Sequence, residues 1–501
     1  MTRIEQLGLF DVRNYKNMDV VLGAGLGGGS LIYANVFLEP PDEVFSDRWP
    51  KSCRKAQLQP YYQVCKGVLG ARPIPPMQGR RRIVRTELFQ KVARQIGRDS
   101  RLVDINVFFG NDFANPLAPG VQDRNRYGAL QTSCVYCAEC DIGCNYQAKN
   151  TLDLNYLYQA EKAYGAEIRT EHFVDQIVPV NKNGDADPAA SGEYGYLVHY
   201  RDLARGHAEQ RALANRVVVS AGTLGSTELL LRCRDIFGTL RRVGRSLGRN
   251  LSGNGDFLGF VVGTQLPADP NYGPVITQRI DFNLFNGFDP AHAFILEDAS
   301  FPSFGAWFVD GARPGFLYVG NLWRLIRHWL ARIRGNTMGP IGYAFQDLLT
   351  DDISYQTCVL LFMGIDKSNG IMTLGRNGWL DIDWPTRDNY PLYNAIIEAE
   401  KQFCREANAR FSFPLPDWWW PFRKNVSVHA LGGCALSENP ADGVTSAAPE
   451  TFGQVHGYRN LYVADGAIVP NAVGANPTAT ISALSEMVAH GITNIFPTID
   501  L

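Results

Sequence analysis

Leu461-Tyr462-Val463-Ala464-Asp465-Gly466, followed by Val473-Gly474-Ala475-Asn476-Pro477-Thr478, is the stretch that decides the fold. Apolar residues of strand-forming type run into Asp-Gly, so a buried strand ends at a turn. The chain re-enters a helix through Asn-Pro, which predicts Asn476 as N-cap and Pro477 at the first helical position. A strand end followed by a helix N-terminus is a ligand-binding arrangement. Upstream, Ser427-Val428-His429-Ala430-Leu431-Gly432-Gly433-Cys434 places one histidine before a diglycine. A histidine can take a proton near neutral pH, and an asparagine amide can hydrogen-bond the same substrate oxygen. The bland alternatives are a structural histidine and a plain helix cap.

Working outward, Arg216–Ser220 reads as a buried strand, with Ala221-Gly222 and a helix over Thr227–Arg232 after it. Asp19–Leu22 is a short apolar strand running into Gly23–Gly29. Gly23-Ala24-Gly25-Leu26-Gly27-Gly28 satisfies G-x-G-x-x-G, the dinucleotide fingerprint. The segment Gly29–Asn35 is too soon ended by Pro40-Pro41 to be the helix of a βαβ unit, and no acidic second strand follows. It reads instead as another glycine loop that hugs a cofactor. Pro40–Leu69 reads as mostly helical, and Thr151–Tyr164 as a helix with Leu152, Tyr156 and Leu157 on one face. Asp175–Val180 and Tyr194–Tyr200 read as a hairpin around the loop 181–192. Residues 257–415 alternate strand-like and loop-like pieces. The mixture predicts an α/β or α+β oxidoreductase-type fold.

Composition sets the outer limits. The chain has 501 residues, 45% hydrophobic and 20% charged, which excludes disorder and a multi-span membrane protein. Its formal net charge of -2 gives no field for nucleic acid. The first twenty residues carry Glu5, Asp11 and Asp19 and no long apolar run, so they are not a secretory signal. No uncharged apolar stretch is long enough to span a bilayer. Six of the ten cysteines are scattered, as in a reduced, cytoplasmic protein.

The other four, Cys134, Cys137, Cys140 and Cys144, have the spacing C-x2-C-x2-C-x3-C. This is the bacterial ferredoxin run, with Asn145 where proline is usual. Three readings stay open: an iron–sulfur cluster, a zinc site, and free or disulfide-forming thiols. If there is a cluster, Cys144 folds back onto it, or it has three irons, or a distant cysteine such as Cys53 or Cys65 completes it.

Together the motifs resemble the glucose–methanol–choline (GMC) flavoprotein oxidoreductases, in their cholesterol-oxidase-like branch. The matching stretches are Gly27–Asn35 with Leu38-Glu39-Pro40, Ala148–Asp153 with Asn155-Tyr156-Leu157, Ser220–Leu230, Val428–Cys434 and Leu461–Thr480. The resemblance implies FAD. Gly27, Gly28, Gly29, Ser30 and Asn35 would form the loop under its pyrophosphate and isoalloxazine. Val174 would contact the adenine, and Ala221 and Gly222 would pass the ADP part. Asp465, Gly466, Asn476, Pro477 and Thr478 would hold the ribityl chain and pyrimidine end. His429 would take the hydroxyl proton, Asn476 would hold the substrate oxygen, and the hydride would go to the flavin. Some dehydrogenases of the family look similar at the cysteine-rich loop. The family's own fingerprint, strand–G-x-G-x-x-G–helix–strand, is expected upstream of Gly27 and is not found there; a βαβ unit of ~30 residues is expected to be missing.

The implied fold is an FAD-binding α/β (α+β) fold with an interleaved substrate domain built on an antiparallel or mixed sheet. The expected boundaries are 1–40, 148–256 and 426–501 for FAD, and 41–147 and 257–425 for substrate, with the cysteine loop 134–144 inside the latter. The stretch 316–334 reads as a basic amphipathic helix, either a peripheral membrane contact or a core-facing helix with outward arginines. Trp418–Phe422 could wall an apolar pocket. The expected activity is FAD-dependent oxidation of an apolar alcohol, sterol-like or long-chain, to a carbonyl. The expected acceptor is O2, a protein or a quinone. The alternatives are an iron–sulfur electron-transfer subunit that needs another chain to bind FAD, and an inactive truncated fragment.

Overall fold

Alternation lays down the strand Met18–Gly23, in which Met18 and Val20 are buried. In this computed structural model, which describes residues 8–45, 48–76, 81–306, 353–419 and 422–497 with a few positions between 326 and 334, that strand pairs in two directions. It runs antiparallel to Phe10–Asn14 and parallel to Asn425–Ser427, with Val20 opposite Ser427. The segment carrying His429 is thereby drawn alongside the glycine loop. Gly25, Gly27 and Gly28 have φ of 146°, 111° and 54°, a backbone region that glycine alone enters freely. Only a short 3-10 turn, Gly28–Leu31, follows. The loop therefore does not open the long helix of a βαβ unit, as its sequence indicated.

The strand Val217–Val219 pairs in parallel with Leu461–Val463, register Val217 to Leu461. The helix after Ala221 runs over Gly222–Leu231, starting five residues before the expected Thr227. It is buried almost all round, so no amphipathic stripe marked its first turn. The predicted hairpin forms from His172–Pro179 and Tyr196–Asp202. A third strand, Ala208–Ala214, joins it with a mostly exposed surface that gave no apolar signal. The expected helix 151–164 divides into a 3-10 turn, Leu152–Leu154, and a helix, Tyr156–Lys162, because the Asn155 side chain caps Tyr156 N at 2.7 Å. Of Pro40–Leu69, only Lys55–Val68 is α-helix. It packs against the helix Thr478–Thr493, where Tyr62 Oη lies 3.1 Å from Thr480 Oγ1.

Residues 257–414 build most of a six-stranded antiparallel sheet. Its order is Phe411–Pro414, Phe257–Val262, Thr357–Gly364, Phe294–Ala299, Gln278–Phe282 and Ser100–Leu102. The strands Gln278–Phe282 and Phe294–Ala299 are buried along their whole length. Helices Val84–Gln95 and Tyr390–Glu406 place Leu88, Phe89, Ile396 and Phe403 in the core against this sheet. A larger core surrounds the buried helix Gly222–Leu231 and the parallel strand pair. A third, small core contains Val107, Phe109, Cys134, Tyr136 and Ala148. Among the described residues, no helix is long and apolar enough to cross a membrane. Most of 316–334 lies outside the described residues. Trp418 is buried while Trp419 and Phe422 are exposed; Trp420 and Pro421 lie outside the described residues.

Candidate active site

His429 follows directly from the strand Asn425–Ser427, and its side chain is 17% exposed. Its Nδ1 lies 2.8 Å from Asp256 Oδ1. The other oxygen of Asp256 accepts from Val428 N at 2.8 Å, His429 N at 3.0 Å and Ser427 Oγ at 3.1 Å. Three donors already point at one oxygen of Asp256, which places the carboxyl as an acceptor. Its Oδ1 is therefore placed to accept from His429 Nδ1–H, the tautomer that leaves Nε2 as the open, proton-accepting nitrogen. Asp256 escaped the sequence reading. Its only signal was a polar, glycine-rich run, Gly253-Asn254-Gly255-Asp256, ahead of an apolar strand.

Asn476 is buried, and its Nδ2 donates to Glu297 Oε2 at 3.1 Å. This corrects the expected N-cap. The helix begins at Thr478 with Pro477 as its cap, and no side chain caps it. Asn476 is instead drawn sideways to a carboxyl on the six-stranded sheet. Asn476 Oδ1 and Glu297 Oε1 are both buried without a hydrogen-bond partner. Burial pushes the Glu297 carboxyl up to about 8, with Asn476 and Arg279 opposing and Asp298 and Asp256 adding to the rise. Asp256 thus holds the histidine while lying within electrostatic reach of Glu297. Asn254, itself at φ 55°, staples the turn before Asn476: its Oδ1 accepts from Val473 N at 3.0 Å and Gly474 N at 2.9 Å, and its Nδ2 donates to Ala475 O at 2.8 Å.

Because the raised carboxyl is protonated in the folded chain and ionised in the unfolded chain, Glu297 weakens folding as pH rises from its ordinary range towards 8. Glu297→Gln should remove that slope. Chemical denaturation between pH 5 and 8 should show the variant gaining on the wild type by ~1–3 kcal/mol towards pH 8. A constant difference across that range would refute the assignment.

Asp465 ends its strand as the sequence indicated. Its Oδ1 accepts from Ala467 N at 2.8 Å and its Oδ2 from Ser226 Oγ. Burial pushes its carboxyl up to about 6. Gly466 O accepts from Gly432 N at 2.9 Å, and Thr223 Oγ1 donates to Ala430 O at 2.7 Å. The strand end, the buried helix and the His429 segment are therefore knit together. Ser30 Oγ donates to Gly27 O at 2.7 Å and accepts from Leu152 N at 3.0 Å, which fixes the glycine loop on the segment after the cysteines. Asn35 is buried with φ 70°. Val174 sits at a β-bulge, half-buried against the larger core.

Whether FAD fits these residues can be read from the glycines. A Cβ built on Gly28, Gly29 or Gly222 meets nothing within 4 Å, so open space lies directly against backbone at each. Beside Gly222, the end of the strand Val217–Val219 leaves Val218, Ser220 and Ala221 exposed. The orphaned Asn476 Oδ1 and Glu297 Oε1 ask for a partner the described residues do not supply. Open backbone and unmet polar atoms are what a bound flavin and alcohol require, and the residues fit. Gly29→Val tests this sharply, since Gly29 has neither positive φ nor a neighbour to clash with. Stability should change by under ~1 kcal/mol. Flavin content of the purified protein should fall by about tenfold, because only a close-lying ligand needs the missing Cβ. Full flavin content would exclude this loop from the cofactor site.

All ten cysteines are free, so the disulfide reading of the cluster is not realised. Among the described residues, no three His, Cys, Asp or Glu side chains converge on one metal position, as a zinc site would need. Cys53 and Cys65 are in the larger core, away from Cys134–Cys144.

Comparisons with known proteins bear on the whole chain. The GMC oxidoreductase family is matched at residues 4–252 by its N-terminal model and at 400–485 by its C-terminal model. A cholesterol oxidase of Mycobacterium tuberculosis (strain ATCC 25618 / H37Rv) is 28% identical over 97% of this chain and 81% of its own length. One from Acinetobacter baumannii is 27% identical over 96% and 82%. Among solved structures, pyridoxine 4-oxidase from Mesorbium loti superposes with a TM-score of 0.59 at 14% identity, covering 98% of this chain and 90% of that one. Formate oxidase from Aspergillus oryzae RIB40 gives 0.57 at 14%, covering 97% and 87%.

Proposed function

The chain belongs to the GMC oxidoreductase family and is an FAD-dependent oxidoreductase, and on that premise we propose that it oxidises the CH–OH group of an apolar alcohol, sterol-like or long-chain, to a carbonyl. The observation that carries the proposed chemistry is the 2.8 Å contact between His429 Nδ1 and the buried Asp256. It supports a histidine held in one tautomer with Nε2 free to take the hydroxyl proton. Asn476 has a second Nδ2 hydrogen beyond the one given to Glu297, and it would hold the substrate oxygen. FAD, when bound, supplies the acceptor for the hydride that leaves the carbinol carbon. The residues that would hold it are Gly27, Gly28, Gly29, Ser30 and Asn35, Val174, Ala221 and Gly222, and Asp465, Gly466, Pro477 and Thr478. The geometry derived above supports their grouping.

The proposed division is an FAD unit from 1–40, 148–256 and 426–501 and a substrate unit from 41–147 and 257–425. The six-stranded sheet supports the second. The cholesterol oxidase relatives support a sterol-like alcohol, and the exposed Trp419 and Phe422 give an apolar surface just before the His429 segment. A cytoplasmic protein that meets the membrane surface through 316–334 suits such a substrate, and the exposed Trp329 and Ile333 support that contact. The test is anaerobic bleaching of the bound flavin by a panel of alcohols. Sterols or long-chain alcohols should reduce it at least tenfold faster than ethanol or glycerol at equal concentration, as a few extra buried methylenes predict. Equal rates across the panel would overturn the apolar reading.

A further inference from the structure

We infer that Cys134, Cys137, Cys140 and Cys144 bind a four-iron cluster, [4Fe–4S], seated against the glycine loop as an outlet for single electrons. The four cysteines were recognised by spacing; the fold brings all four to one pocket, which they line together with Val107, Ala148 and Lys149. Cys144 therefore folds back onto the same site as the first three. No three of the side chains converge on one point. Mononuclear zinc needs sulfurs at ~2.3 Å from a single centre, whereas a cluster spreads its four thiolates over separate irons. Thiols arranged around a pocket suit the second.

The backbone of the loop is built at a cost that a buried thiol alone does not explain. Tyr136 and Ala138 have φ of 64° and 59°. The turn at Tyr136 and a further one at Gln147, with φ 54°, accompany amides aimed at sulfur: Tyr136 N–H donates to Cys134 Sγ at 3.4 Å, and Ala148 N–H donates to Cys144 Sγ at 3.3 Å. Amide donors to cysteine sulfur are what stabilise a negatively charged cluster. Lys149 supplies the second independent observation. It is buried, and its Nζ donates to Cys140 O at 2.6 Å, Leu31 O at 2.8 Å and Tyr33 O at 3.3 Å, all three neutral carbonyls. A buried ammonium needs negative charge nearby. Asp141 and Asp153 lie within its electrostatic reach, and a cluster carrying four thiolates would add to them.

The same lysine ties the cysteine loop to the glycine loop through Leu31 and Tyr33. The His429 segment runs alongside that glycine loop through the pairing of Asn425–Ser427 with Met18–Val20, so the cluster would stand on the same side as the reacting centre. Each alcohol oxidised to a carbonyl releases two electrons and two protons. The electrons would leave the reduced cofactor one at a time, the cluster gaining and losing one electron twice. Two equivalents of a one-electron acceptor, a redox protein or a small ferric complex, would be reduced, and the protons would go to water. Electron outlet rests on the proposed alcohol oxidation; cluster binding does not.

The test uses the full chain purified without oxygen and treated with ferrous iron and sulfide. About four irons and four labile sulfides per chain are expected. A paramagnetic signal should appear on reduction with dithionite. Iron below about one per chain, or zinc in its place, would overturn the proposal. Cys137→Ser, at a half-buried position, should lose iron and sulfide. Its reduction of ferricyanide should fall at least tenfold further than alcohol-driven bleaching of its flavin. Equal falls in both would overturn the outlet role while leaving the cluster. A wild-type chain that holds the cluster but whose flavin no alcohol bleaches would instead refute the alcohol reading. Should Cys137→Ser not fold, the metal and sulfide content of the wild type still decides.

Discussion

His429→Gln should slow alcohol-driven reduction of bound flavin by about 10²–10⁴-fold. Glutamine can keep a hydrogen bond to Asp256 through its amide nitrogen, so the segment should stay folded and flavin should stay bound. What it lacks is a nitrogen that takes a proton near neutral pH. Rapid mixing with alcohol under anaerobic conditions reads the reduction step alone. A rate within twofold of wild type would remove His429 from the mechanism.

Asp256→Asn should have the second largest effect, about 10²-fold or more on the same step. The carboxylate serves two sides. One oxygen meets three donors, from Ser427, Val428 and His429, and the other meets His429 Nδ1. An asparagine has one acceptor. Keeping it on the three donors turns the amide NH2 towards Nδ1, which must then accept, and the imidazole proton moves to Nε2. The nitrogen needed for proton uptake would be blocked. Stability should fall by ~1–3 kcal/mol if the donors are left short. The decisive readout is the double variant. Since Asp256 acts through His429, Asp256→Asn with His429→Gln should be no slower than His429→Gln alone. Multiplying losses would mark Asp256 as a merely structural acceptor.

Much of the fold was legible along the chain. The strand 461–463, the hairpin from 172 to 202 and the brevity of the segment after the glycine loop follow from local pattern. Each depends on apolar alternation, a turn or a proline within a few residues. The parts that were not legible have one cause in common. The strand 208–214 is exposed and takes its place from its neighbour, and the helix 222–231 is buried all round. Neither carries the one-sided apolar pattern that sequence reading detects.

The site divides the same way. His429, Asn476 and the four cysteines stood out in the sequence, because residue type and spacing point to the chemistry proposed for them. Asp256 and Glu297 did not. One lies 173 residues from its histidine and the other 179 from its asparagine. A lone acid at a strand end or inside a strand has no local signature. The sequence by itself determined which residues can accept a proton, hold a substrate oxygen or ligate metal, since those capacities belong to side chains. Only the tertiary structure decided that Asn476 turns to Glu297 rather than capping its helix, that His429 Nδ1 faces Asp256, and that Cys144 lines one pocket with its three neighbours. Those outcomes depend on which partner a buried polar group meets, and burial without a partner is too costly for the choice to be local.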